Sequence, residues 1–209
     1  MMYEIIYSVF EIIGTIAFAV SGAIVALKKQ MDMLGVAALG LCTAVGGGVI
    51  RDMILGNTPP VMFRDPMYSV VAICASIIVF LPPIRRTIEN SGALYDKILL
   101  LMDSVGLGIF TVIGVRCAYS MNDEYGIFLV TFVGVVTGVG GGVLRDVLAG
   151  NPPYIFVKHF YACASIVGAA LCAFLWHRTG STTAAIIAGS ASVIVLRLLA
   201  AHFRWSLPH

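Results

Sequence analysis

The chain has 209 residues, of which 59% are hydrophobic and 11% charged, with a formal net charge of +2; its mean hydropathy is +0.97. A soluble domain carries roughly 25% charged residues, so a soluble globular protein is excluded, and no polar stretch is long enough to build an appended enzyme domain. A net charge of +2 supplies no basic face, which argues against nucleic acid as a partner.

Uncharged runs cover 33–50, 66–84, 125–144 and 179–196, each near the roughly 20 residues that cross a bilayer core as a helix. Apolar length and polar breaks predict an all-α membrane protein with seven spans. The first covers 4–27 and ends at Lys28-Lys29-Gln30; no Lys or Arg precedes Lys28, so it reads as a retained helix and not a secretory signal. The second, 33–55, ends at Asn57-Thr58-Pro59-Pro60. The third, 66–82, ends at Pro82-Pro83, before Arg85-Arg86. The fourth is 97–116. The fifth, 125–149, ends at Asn151-Pro152-Pro153. The sixth is 158–176. The seventh, 181–202, is rich in Ala, Gly and Ser, which lets helices approach closely; it is expected to pack on the core or to serve oligomer contact. The whole chain, 1–209, reads as one transmembrane domain.

Seven spans place nine of the 13 Lys and Arg residues on the side of Lys28 and four (Arg51, Arg64, Arg116, Arg178) on the other. The richer side is expected to be cytoplasmic, with the N-terminus outside and the C-terminus inside. Cys42, Cys74, Cys117, Cys163 and Cys172 form no CxxC and read as small apolar residues. His159, His177 and His202 lack metal-ligand spacing, and Trp176 and Trp205 read as interfacial anchors. No HExxH, GxSxG or GxxxxGK element is present, so neither a metal site, a cofactor nor a catalytic residue is expected.

The chain contains an internal repeat. Thr43–Asn57 and Thr137–Asn151, 94 residues apart, share ten of 15 residues, including Gly-Gly-Gly, Arg-Asp and Gly-Asn, and both run on to Pro-Pro. Upstream, Glu11, Gly14, Phe18 and Gly22 fall opposite Asp103, Gly106, Phe110 and Gly114 at an offset of 92. Repeat one covers about 4–82 and repeat two about 97–176. Three spans per repeat make the second copy enter from the opposite side, the inverted duplication of many transporters.

The glycine triplets, Gly46-Gly47-Gly48 and Gly140-Gly141-Gly142, are weak points in a helix and predict a bend or hinge lining a pore. A rival pattern, Gly40/Ala44/Gly48 and Gly134/Gly138/Gly142, predicts helix packing alone. Arg51-Asp52 and Arg145-Asp146 read either as interfacial anchors whose arginines snorkel to water or as charges lining opposite mouths of a pore. Glu11 and Asp103 lie several residues inside their spans. An acid facing lipid there costs about 2.5–3.5 kcal/mol on the insertion scale, so both are expected to face the interior, either pairing with Arg51 or Arg145 or attracting cations. Thr15, Ser21, Ser104 and Thr111 are possible cation ligands, although Thr15 and Thr111 can equally bond their own helix.

The repeated GGGV[IL]RD…GNxPP element, Asp32-Met33-Leu34-Gly35-Val36, and the acids Glu11 and Asp103 resemble the prokaryotic branch of the TRIC (trimeric intracellular cation) channel family over nearly the whole chain. Bacterial members also look like proteins grouped under a glycine-transporter-type domain. The resemblance implies a homotrimer in the bacterial inner (cytoplasmic) membrane, a separate pore in each protomer, glycine hinges in the second and fifth spans, and permeation of monovalent cations, K⁺ favoured over Na⁺. Eukaryotic relatives carry a Lys-containing motif for an anionic lipid where this chain reads Gly-Gly-Gly-Val-Leu-Arg-Asp, so lipid regulation does not transfer. Two other readings stand beside the channel: a secondary transporter of glycine or another small solute, and an assembly protein whose glycines only pack helices.

Overall fold

The computed structural model describes residues 2–157, 160–179 and 182–205; Lys158 and His159 lie outside them. Ten α-helices run in order: α1 Met2–Lys28, α2 Met33–Ile54, α3 Val61–Arg64, α4 Met67–Phe80, α5 Pro82–Glu89, α6 Gly92–Met121, α7 Ile127–Leu148, α8 Tyr154–Val157, α9 Tyr161–Thr179 and α10 Thr182–His202. Asp32 caps α2 by accepting from the Gly35 N–H at 2.8 Å, and Ser91 caps α6 through Leu94 at 3.3 Å. Six helices are long and apolar enough to span a membrane alone, and the α4–α5 pair gives a seventh, broken span.

That break corrects the reading of Pro82-Pro83. Helix α4 stops at Phe80, the chain turns by 71°, and the two prolines open α5 instead of ending the span. Proline fits the first helical turn because the N–H it lacks has no partner there. The fourth span is also longer than predicted: α6 starts at Gly92 and runs 30 residues, because polar Tyr95, Asp96 and Lys97 are accommodated in its first turns.

The fold is two inverted three-helix repeats plus a seventh helix. Helices α1 and α6 pack together, as do α2 and α7; α1 packs on α2 and α6 on α7, closing a central four-helix core. Helix α4 covers α1 and α2, and α9 covers α6 and α7 in the same way. Helix α10 breaks the symmetry by packing on α6 and α9. Small residues seat it: a Cβ on Gly168 would fall 2.9 Å from the Gly189 carbonyl, and one on Gly189 3.1 Å from the Gly168 carbonyl.

Both glycine triplets lie inside unbroken helices, α2 and α7, so neither span is discontinuous there and the triplet carbonyls are not released from a helical turn. The triplets mark where α2 and α7 cross. A Cβ on Gly47 would overlap the Thr137 carbonyl, and one on Gly141 the Thr43 carbonyl, while a Cβ on Gly140 would lie 3.2 Å from the Gly47 Cα. The crossing obeys the internal symmetry. So does the contact within each repeat: a Cβ on Gly22 would meet the Thr43 Oγ1 at 2.5 Å and the Gly40 Cα at 2.8 Å, and one on Gly114 meets Thr137 and Gly134 at the same distances.

Candidate functional site

Each Arg-Asp pair is locked into a turn by its own sequence. After Ile54 and Leu148 the chain reverses through Gly56 and Gly150, at φ 72° and 66°, a conformation glycine adopts without a Cβ clash. The Asn57 and Asn151 N–H groups return to the Asp52 and Asp146 carbonyls, both at 2.8 Å. The prolines then aim a short helix back at the same aspartate. Asp52 Oδ2 accepts from the Val61 N–H and Asp146 Oδ2 from the Tyr154 N–H, each at 2.9 Å. Each Oδ1 accepts from the neighbouring arginine Nε, again at 2.9 Å. The aspartates are thus turn staples that also hold the guanidinium groups. Replacing Asp52 or Asp146 by Ala removes a helix-start acceptor, worth about 1 kcal/mol, and unpairs a buried arginine. We expect each variant to melt lower in detergent than its Asn counterpart, which keeps one acceptor.

The two acids predicted to face inward do so, in unequal surroundings. Asp103 is fully buried. Its Oδ1 accepts from Arg145 Nη1 at 2.6 Å, with the Tyr161 hydroxyl at 3.5 Å. The same Nη1 donates to Ser21 Oγ at 2.5 Å, and Arg145 stacks near the Tyr154 ring, 5.0 Å from its centre. Arg145 has no exposed surface, so it does not snorkel. Glu11, at the matching position of repeat one, is held by phenols: Tyr7 donates to Oε1 at 2.6 Å and Tyr68 donates to Oε2. Arg51 pairs with Asp52 at 2.8 Å.

The predicted cation ligands are mostly engaged. Ser21 accepts from Arg145. Ser104 donates to the Leu100 carbonyl at 2.7 Å. Thr111 bonds Ser165 of α9 at 2.7 Å. Thr15 is buried and lines a small cavity of about 60 Å³ with Glu11, Gly48, Arg51, Asp52 and Tyr68. Two larger cavities, about 560 and 460 Å³, open at the other end of the core beside Lys28, Tyr95, Asp96, Asp146, Tyr154 and Arg197. Between the two ends lie the α2–α7 crossing, the Phe18 ring packed on Phe110 at 5.3 Å, and the Asp103–Arg145 pair. A Cβ on Gly141 would come within 3.2 Å of that Phe18 ring.

Sequence reasoning missed the tyrosines and Arg197. Tyr68 and Tyr161, 93 residues apart, both reach the acid of their own repeat, so extending the repeat alignment downstream would have found them. Arg197 was counted as a charge at a helix end. It is 4% exposed and stands 4.0 Å from Asp103 Oδ2, above the Tyr161 ring at 4.9 Å.

The model of the family described as glycine transporter matches residues 8–82 and 100–177. The UPF0126 inner membrane protein YadS of Escherichia coli is 39% identical over 201 residues, covering 94% of this chain and 91% of its own. The UPF0126 membrane protein YvgT of Bacillus subtilis is 33% identical, covering 97% and 96%. Among solved structures, a TRIC cation channel superposes with a TM-score of 0.84 at 39% identity, over 97% of this chain and 96% of its own. The trimeric intracellular cation channel orthologue from Rhodobacter sphaeroides gives 0.86 at 32% identity, over 96% and 99%. A prokaryotic TRIC channel determined in 0.5 M KCl gives 0.87 at 28% identity, over 98% and 100%. With nearly the whole chain matched in both sequence and structure, the protein belongs to the prokaryotic TRIC channel family, whose bacterial members the glycine-transporter model also groups.

Proposed function

We propose that this protein is a passive channel for monovalent cations, K⁺ ahead of Na⁺, with one pathway inside each protomer of a homotrimer in the bacterial inner membrane. The pathway runs between the two repeats of a single transmembrane unit. The side of Lys28 faces the cytoplasm, the N-terminus lies outside and the C-terminus inside. The observation that carries this reading is the pair of polar chambers at opposite ends of the core, each placing one carboxylate, Glu11 or Asp103, at matched positions inside otherwise apolar spans. The likeness to solved cation channels supports the same reading.

In this conformation the passage is closed. Close backbone contact at Gly47 and Gly141 and the buried Asp103–Arg145 pair fill the space between the chambers. Conduction requires α2 and α7 to part or flex at their triplets, where missing side chains lower the cost of movement. Arg51 and Arg145 would then set the field beside the pathway, offset by Asp52, Asp146, Glu11 and Asp103. Thr15, already lining the outer chamber with Glu11, is the hydroxyl free to contribute to a hydration shell there.

The test is planar-bilayer recording of the purified protein in asymmetric KCl, then under a KCl/NaCl bi-ionic gradient. Unitary currents reversing near the K⁺ equilibrium potential are expected. Arg51→Ala and Arg145→Ala should each alter conductance or open probability, and unchanged traces in both would remove arginine from the mechanism. A silent bilayer with proteoliposomes that accumulate labelled glycine would replace the channel by the solute transporter that the family description names.

A further inference from the structure

We infer that Arg197, contributed by the seventh helix, sets the field at one mouth of the pathway and makes cation flow unequal in the two directions. The inference rests on the channel reading above.

The argument starts from the broken symmetry. Glu11 and Asp103 occupy matched positions, and so do Tyr68 and Tyr161. Their remaining partners differ in charge. Glu11 completes its shell with a second neutral phenol, Tyr7. Asp103 faces two guanidinium groups, Arg145 at 2.6 Å and Arg197 at 4.0 Å. Helix α10 lies outside the duplication, so repeat one has no helix in the corresponding place to supply an equivalent of Arg197.

Arg197 does not complete a hydrogen-bonded pair with Asp103. A separation of 4.0 Å is too long for a hydrogen bond, and among the described residues its buried Nε has no partner. Asp103 Oδ1 is already engaged by Arg145, while Oδ2 is left without a hydrogen bond. A buried guanidinium with unmade bonds is costly, which a purely packing role does not account for. The side chain instead stands in the wall of the larger chamber, with Asp96, Tyr154 and Arg204.

The chamber charges make the ends unequal. The walls at Arg197's end carry Lys28, Lys29, Arg197 and Arg204 against Asp96 and Asp146. The small chamber at the other end carries Arg51 against Glu11 and Asp52. One mouth is therefore net positive and the other net negative. Lys28, Lys29 and Arg204 are exposed and screened by salt, whereas a buried charge is screened much less. Arg197 is thus the cation whose field persists at physiological ionic strength. A unit charge about 10 Å from a cation in water changes its local occupancy about twofold. Cations entering from the Arg197 side should be depleted by that factor relative to those entering from the Glu11 side.

The experiment is single-channel recording in symmetric 150 mM KCl, comparing current at equal positive and negative voltages. Each insertion reports the ratio whatever its orientation. Wild type should pass about twofold more current in one polarity. Arg197→Gln should bring the ratio close to one, Arg197→Lys should keep it, and Arg204→Gln should change it less than Arg197→Gln. Arg197→Met, apolar and of similar length, replaces the Gln variant if that variant does not fold. A linear wild-type current, or a wild-type ratio in the Gln or Met variant, overturns the inference and leaves the channel reading standing. Equal loss of rectification in Lys and Gln variants also overturns it, since shape and not charge would then be at work. The absence of any unitary current in wild type defeats the channel reading itself, and this inference with it.

Discussion

Gly47→Ala and Gly141→Ala should each destabilise the folded protein severely, while Gly48→Ala should be neutral or slightly stabilising. The three substitutions add the same methyl group to a central helix. At Gly47 the new Cβ overlaps the Thr137 carbonyl, and at Gly141 the Thr43 carbonyl. Both obstacles are backbone atoms of a packed helix, so no rotamer change relieves the overlap; α2 and α7 must separate along their crossing. Overpacking of this kind costs about 1–3 kcal/mol, occasionally more, against a gain of about 1 kcal/mol from replacing a helical glycine by alanine. The cost wins at Gly47 and Gly141. At Gly48 the nearest atom is the flexible end of Arg51, 3.7 Å away, so the propensity gain stands alone. Thermal melting in detergent reads the difference. Equal melting temperatures for Gly47→Ala and Gly48→Ala would mean that the helices are not held in contact at the crossing and that the triplets act chiefly as a flexible segment.

The contrast between Gly47 and Gly48 shows what the sequence conveys and what it withholds. The repeat made the inverted architecture legible, because ten identities in 15 residues, an odd number of spans and matched acids all follow from counting. It also placed Glu11 and Asp103 inside the protein, since neither acid is affordable against lipid. Three glycines in a row, however, do not say which one touches the other helix. That depends on the rotation of α2 about its own axis, which long-range packing sets.

The Arg-Asp pairs were ambiguous for a related reason. Counting residues from the start of α2 put Arg51 near an interface, and snorkelling was a fair reading. The Gly-Asn-x-Pro-Pro that follows was the overlooked signal. Glycine permits the positive φ, the prolines start the return, and the return brings an N–H to the aspartate. Pro82-Pro83 misled in the opposite sense, because the same dipeptide that ends a span can open the next helix. Arg197 and the tyrosines were hidden by sequence distance: Tyr7, Tyr68, Tyr161 and Arg197 meet the acids only once four separate helices are packed.

Among single substitutions, Asp103→Asn should have the largest effect at the charged site, larger than Glu11→Gln at the matched position. In a membrane an ordinary interhelical hydrogen bond contributes about 0.6 kcal/mol, so two equivalent acids would give two equally small effects. The surroundings make them unequal. Neutralising Glu11 leaves two phenols that can still bond an amide, and no charge loses its partner in the process. Neutralising Asp103 leaves Arg145, fully buried, with Asp146 as its remaining carboxylate, and leaves Arg197 with no carboxylate within 4.0 Å. Removing one partner of a buried pair costs about 3–5 kcal/mol, because the other charge stays desolvated. Asp103→Asn should therefore lower the melting temperature far more than Glu11→Gln. Pairing Asp103→Asn with Arg197→Gln should recover part of the loss, since the double variant removes one of the two stranded cations. Melting temperatures of the two single variants and the double variant decide the matter. If the double variant is additive, Arg197 and Asp103 do not interact, and the charge balance drawn here around the seventh helix is wrong.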